Sequence, residues 1–166
     1  MTARLFFGLA PPDDVRDQLA AVAQRMPREG ALSRAENLHI TLAFLGSVGA
    51  EQEPALLSAA AGLMHEPFEL QIDRAGTFRN ARVLWLGMQR PPDGLIALQS
   101  DLVNRLQSAC PELPVWEREG GKYCPHVTIQ RKFKSSAVEL AFAPIRWAVQ
   151  DFCLYISENS GDGSAY

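Results

Sequence analysis

A chain of 166 residues with 47% hydrophobic and 21% charged residues has the composition of a soluble globular domain, which excludes disordered and fibrous classes and predicts one packed domain over residues 1–166. The formal charge of −3 and pI of about 5.6 exclude a protein that coats nucleic acid, because such binding neutralises many phosphates at once. An enzyme that grips one phosphate remains open.

The run Arg4 to Ala10 (RLFFGLA) is apolar and short and is stopped by Pro11 and Pro12, so it reads as a buried strand. A helix follows: Asp13 and Asp14 suit a first turn, and Val15, Leu19, Val22 and Met26 recur at helical spacing to face a sheet. Next comes LHITLAFLG, a strand ended by Gly46 and Gly49, then an alanine-rich helix from about Glu51 to Met64. Phe68 to Asp73 and Val83 to Met88 read as a hairpin around a turn near Gly76. Leu95, Leu98, Leu102 and Leu106 form one apolar stripe on a helix from Asp93 to Cys110, which Pro111 closes. Residues 111–121 read as a loop, and KYCPHVTIQ as a strand after Pro125. Ile145, Trp147 and Val149 alternate on odd positions and Phe152, Leu154 and Ile156 on even ones, so a bulge is expected near Gln150 and Asp151.

Two of these strands resemble each other. Residues two apart on a strand share a face, so His39 projects with Thr41 and His126 with Thr128, while Ile40, Leu42, Val127 and Ile129 turn to the core. With four threonines and three histidines in the chain, two histidines each followed by threonine two places on have a chance probability of about 0.002. The recurrence, about half a chain apart, predicts an internally duplicated α+β fold of two lobes.

Two imidazoles suit acid and base work, since one can be neutral while the other is protonated near neutral pH. Opening a cyclic phosphate with water needs such a pair, one on each side of phosphorus, and threonine hydroxyls can donate to the non-bridging oxygens. Arg131 could add a forked contact to the same phosphate. Spacing does not say which histidine is the acid. Arg131, five positions beyond His126, has the opposite parity in an unbroken strand, so its reach requires the strand to end or twist. Phe44 could stack a base, but its parity with Ile40 and Leu42 favours the core.

Other chemistry is less well matched. A zinc site from His39, His126 and Cys124 lacks a usual ligand spacing and any carboxylate. Cys124 is poorly placed as a nucleophile for His126. His65 lies in no repeated context and reads as a surface or helix-terminal charge. Arg131, Lys132 and Lys134 around Phe133 suit either RNA guidance or a solvated loop. Cys110, Cys124 and Cys153 are few and dispersed, as expected of reduced thiols in a cytoplasmic protein. No stretch has the pattern of a secretory signal or a membrane span.

The tetrads HITL and HVTI, with RLFFGLA, ENLHITLAFLG, VLWLG and PHVTIQR, resemble the 2H phosphoesterase superfamily, specifically the RNA 2',3'-cyclic phosphodiesterases also called 2'-5' RNA ligases. The resemblance spans most of the chain. It implies a bilobal α+β fold, two antiparallel sheets facing a central cleft with helices outside, and a pseudo-two-fold duplication. It also implies hydrolysis of RNA or nucleoside 2',3'-cyclic phosphates to 2'-phosphomonoesters without metal or organic cofactor. His39 is then the proton donor and His126 the acceptor, Thr41 and Thr128 hold the phosphate, and Arg131 binds it. The expected partners are RNA ends or nucleotides bearing the cyclic phosphate, with no membrane partner, and a monomer is expected. Two alternatives stand beside this: 2'-5' ligation of RNA ends by the reverse reaction, and a nucleotide-binding module with little turnover.

Overall fold

The structure is a computed structural model that describes residues 2–113, 122–160 and 163–165. The expected loop over 111–121 lies mostly outside the described residues. Strand β1 spans Thr2–Leu9 and helix α1 Asp13–Gln24. They are followed by β2 at Ala31–Leu32, a short 3-10 turn at Ala35–Asn37 and β3 at Ile40–Gly49. Helix α2 covers Glu53–Ala61, β4 Phe68–Ile72, β5 Arg74–Phe78 and β6 Val83–Gly87. Helix α3 covers Asp93–Ala109, β7 His126–Arg131, β8 Ile145–Val149 and β9 Cys153–Ile156. Strands β10 (Glu158–Ser160) and β11 (Gly163–Ala165) form a small hairpin.

The fold is thus mixed helix and sheet, with two antiparallel sheets beside that hairpin. The larger sheet runs β5-β6-β7-β3-β1-β9, with β2 also paired to β7; the smaller is β4 with β8. One continuous cluster of buried side chains holds them together. Helix α1 starts at Pro12, where a missing N–H costs nothing and the acidic pair Asp13 and Asp14 meets the positive end of the helix. It buries Val15, Leu19 and Val22 as its spacing predicts, and Met26 is buried just past its end. In α3 all four leucines of the stripe are buried, and the helix packs on α2 and β3.

Several expectations fail. Strand β4 pairs with β8, not with β6; the partner of β6 is β5. The chain crosses between sheets at Asp73, whose carboxylate accepts from the backbone N–H of Gln89 (2.8 Å) and the side chain of Gln71. Gly76 is therefore no turn but lies inside β5, where a Cβ would collide with the indole of Trp85. Likewise Gly46 does not end β3. It adopts φ +69° within the strand, a conformation open to glycine at little cost. Finally, the phase slip near Gln150 is not a bulge in one strand: β8 and β9 are separate strands in separate sheets. Ile156, expected on a buried face, is 57% exposed. The alanine-rich helix is also shorter than expected, ending at Ala61 before Gly62.

Candidate active site

Strands β3 and β7 meet at one register pair among the described residues, Ile40 with Val127. Both side chains are fully buried, so the residues flanking them, His39 and Thr41 on one strand and His126 and Thr128 on the other, project from the opposite face. All four are half-buried. The structure thereby brings both tetrads to one surface.

The histidines are held alike. Nδ1 of His39 lies 2.7 Å from the carbonyl of Asn37, and Nδ1 of His126 lies 2.8 Å from the carbonyl of Cys124. A carbonyl only accepts, so each Nδ1 carries its proton and Nε2 is the nitrogen that titrates. Each ring also rests on aromatic side chains. His39 stands 4.7 Å from Phe6, which stacks on Tyr155 at 5.1 Å. His126 meets Phe78 edge-on at 4.8 Å, with Trp85 behind.

This setting disfavours charge. Burial lowers the pKa of His39 below 6.5, opposed by the Asn37 carbonyl and helped by the charges of Arg131 and His126. Burial likewise lowers that of His126, opposed by the Cys124 carbonyl and helped by Arg131. Tyr155 is pushed up to about 12, first by burial.

Arg131 reaches this face through a bulge. On β7, Thr128 pairs with Trp85 and Gln130 with Leu84, so Ile129 is an extra residue without a partner on β6. Arg131 then pairs with Val83, on the same side of the sheet as Trp85 and therefore as Thr128 and His126. The first tetrad ends in the same way. Thr41 pairs with Gly8 and Ala43 with Phe7, leaving Leu42 extra. The shift turns Ala43 inward and Phe44 outward, 36% exposed with the guanidinium of Arg4 over its ring at 5.3 Å. Phe44 is therefore not a core residue, contrary to its parity in an unbroken strand.

Several residues at the site carry no sequence signal of their own. The hydroxyl of Tyr123 donates to the carbonyl of Thr41 at 2.9 Å, tying the approach to β7 onto β3. Phe6, Trp85 and Tyr155 fall in expected strands with no mark of their own, and Phe78 falls between two expected strands. Cys124 is exposed and contributes its carbonyl to His126. His65 sits apart, against Phe68 and Phe152. Among the described residues no group of three or more His, Cys, Asp or Glu side chains could hold a metal ion.

Comparison with known proteins gives concordant matches. The family model of the 2'-5' RNA ligase superfamily matches residues 7–161. The chain is 40% identical over 159 residues to the RNA 2',3'-cyclic phosphodiesterase of Escherichia coli K12, covering 93% of this chain and 86% of that protein. Among solved structures, E. coli LigT complexed with 3'-AMP superposes with a TM-score of 0.89 at 34% identity, covering 100% of this chain and 94% of that one. LigT complexed with ATP gives 0.85 at 33% identity with the same coverage.

Proposed function

We propose, from the premise that the chain belongs to the 2'-5' RNA ligase superfamily, that it is an RNA 2',3'-cyclic phosphodiesterase that works through His39 and His126 without a metal ion. The observation that carries this reading is the paired histidine geometry: two imidazoles on one face, each with Nδ1 bound to a carbonyl two residues upstream. His126 takes a proton from water through Nε2 as the water oxygen bonds to phosphorus. His39 gives its Nε2 proton to the 3'-oxygen as the P–O3' bond breaks, leaving a 2'-phosphomonoester. A fixed Nδ1–H keeps each Nε2 aimed and cuts the cost of organising the transition state.

Thr41 and Thr128 donate to the non-bridging oxygens, and the Arg131 guanidinium supplies a charge-assisted contact as charge builds there. In support of a duplicated, two-lobed domain over 1–166, β3 and β7 run antiparallel, pair at the residue after each histidine, and each carry an extra residue at the last position of the tetrad.

An RNA chain, more than a free nucleotide, fits the surroundings. Arg79, Arg82, Lys132 and Lys134 are all exposed and gather where the β5–β6 turn meets the end of β7, where the N–H of Phe133 donates to the carbonyl of Arg82 at 2.9 Å. Four cations there can follow the phosphates upstream of the reacting end. E. coli LigT binds 3'-AMP and ATP, which supports a nucleotide pocket in this chain. We take the protein to be a cytoplasmic monomer; Cys124 and Cys153 are exposed thiols, and no helix among the described residues is long and apolar enough to cross a membrane.

The test is an oligoribonucleotide ending in a 2',3'-cyclic phosphate, incubated with the protein in excess EDTA. Conversion to a 2'-phosphate end supports the reading. Failure to convert it, or conversion only after zinc is added, overturns it.

A further inference from the structure

Gln130 is the one fully buried polar side chain among the described residues. A buried amide costs several hydrogen bonds with water, so it persists only where partners replace them. Here three do. Its Oε1 accepts from the backbone N–H of Glu29 (3.3 Å) and of Gly30 (3.2 Å), and its Nε2 donates to the carbonyl of Pro27 (2.7 Å). All three partners belong to the strap of residues 27–30 that precedes β2.

That strap lies directly on the bulge. Ala31 pairs with Arg131 and Leu32 with Gln130, and the N–H of Ser33 donates to the carbonyl of Ile129 at 2.7 Å. Gly30 passes so close that a Cβ there would collide with the carbonyl of Arg131. Beyond it, the carboxylate of Glu29 accepts from the N–H groups of Lys134 (3.1 Å) and Ser135 (2.7 Å). The chain has just turned at Lys132, where φ is +59°. The strap therefore grips the strand on both sides of Arg131 while leaving that side chain on the histidine face.

We propose that Gln130 and Gly30 are positioning residues for Arg131: by locking the strap to the bulge they hold its guanidinium on the face of His39 and His126. The consequence for catalysis rests on the reading of Arg131 as a phosphate contact. Without the lock, the extra residue at Ile129 is free to slip. A slip of one position would turn Arg131 to the other face of the sheet.

Gln130→Met keeps the volume and removes all three hydrogen bonds. Gly30→Ala pushes the strap off the strand without touching the core, and carries the test alone if Gln130→Met does not fold. Arg131→Ala is the reference. The first readout is the NMR titration of the two imidazoles, which sense the Arg131 charge directly. Both variants should raise the histidine pKa values as Arg131→Ala does, and should add nothing in an Arg131→Ala background. The second readout is the KM for a nucleoside 2',3'-cyclic phosphate, expected to rise about tenfold or more, the size of a lost charge-assisted hydrogen bond.

Folded variants whose histidines titrate as in the native protein overturn the proposal, whatever happens to Tm. Shifted titrations with an unchanged KM uphold the positioning and refute the phosphate role of Arg131.

Discussion

Ile40 and Val127 are register partners, and each is the residue that follows a histidine. Among the described residues this one pair joins the two halves of the larger sheet and sets the separation of the two imidazoles on its other face. Because Ile40 is fully buried, Ile40→Ala should destabilise the protein by about 2–5 kcal/mol, the range for deleting a buried large aliphatic. Ile40→Val should cost about 0.5–1.5 kcal/mol. Urea titrations would measure both. The shortened side chain should also lower kcat under conditions where the variant is fully folded, since the pair fixes the distance across which acid and base act.

The pH dependence follows from the buried imidazoles. Burial lowers both pKa values below 6.5 in the ligand-free protein. The active form needs one imidazole protonated and one neutral, so kcat/KM, which reports the free enzyme, should peak below pH 6.5 and fall on the alkaline side as His39 loses its proton. A bound phosphate anion raises both values, so the alkaline limb of kcat should lie at higher pH than that of kcat/KM. Stability carries the same sign. The folded state binds fewer protons than the unfolded one, so this contribution is complete above pH 6.5 and is lost as the pH falls through the folded values. Thermal melts of His39→Ala and His126→Ala should depend less steeply on pH in that range than melts of the native protein.

Gly76 and Trp85 give a prediction about packing. A Cβ at Gly76 meets the indole of Trp85, and that ring stands behind His126. Gly76→Ala should therefore cost about 1–3 kcal/mol, as overpacking does, despite the better strand propensity of alanine. Tryptophan fluorescence and a thermal melt would report the displaced indole and the lost stability together. An unchanged melt would mean that Trp85 has another resting place.

Much of the architecture was legible in the sequence because burial leaves a periodic trace. The stripe of Leu95, Leu98, Leu102 and Leu106 gave α3 directly, and alternation about Ile40 and Val127 gave the two histidine faces. What left no trace was the insertion of one residue. The extra Leu42 and Ile129 are apolar like their neighbours, yet each reverses the parity of the strand just beyond it, so that unbroken alternation puts Phe44 in the core and Arg131 on the wrong face. Strand partners were equally hidden: β4 and β5 both suit a neighbour for β6, and only the crossing between sheets at Asp73 decides between them. Gly76 carried the composition of a turn while serving as a space for an indole. Gln130 reads as an ordinary strand polar residue, since its partners lie about a hundred residues upstream.

The cations beside the site predict how the substrate is held. If Arg79, Arg82, Lys132 and Lys134 follow an RNA backbone, kcat/KM for an oligoribonucleotide should fall with salt, with a log–log slope of about −0.7 for each phosphate neutralised. A mononucleotide cyclic phosphate should show a much shallower slope. Removing Lys132 and Lys134 together should flatten the oligoribonucleotide slope by roughly 1.4 and leave the mononucleotide unaffected. Equal slopes for the two substrates would mean that the basic turns do not touch RNA.

The sharing of the proton transfers between His39 and His126 carries the mechanism. It is tested most directly by phosphorus NMR of a nucleoside 2',3'-cyclic phosphate in excess EDTA with the native protein, His39→Ala and His126→Ala. The native protein should give a single 2'-phosphomonoester resonance, and each variant should be slower by about 10²–10⁴-fold, the usual contribution of a positioned acid or base. A folded variant of either histidine that retains native turnover would contradict the mechanism, and so would a native protein that leaves the cyclic phosphate intact.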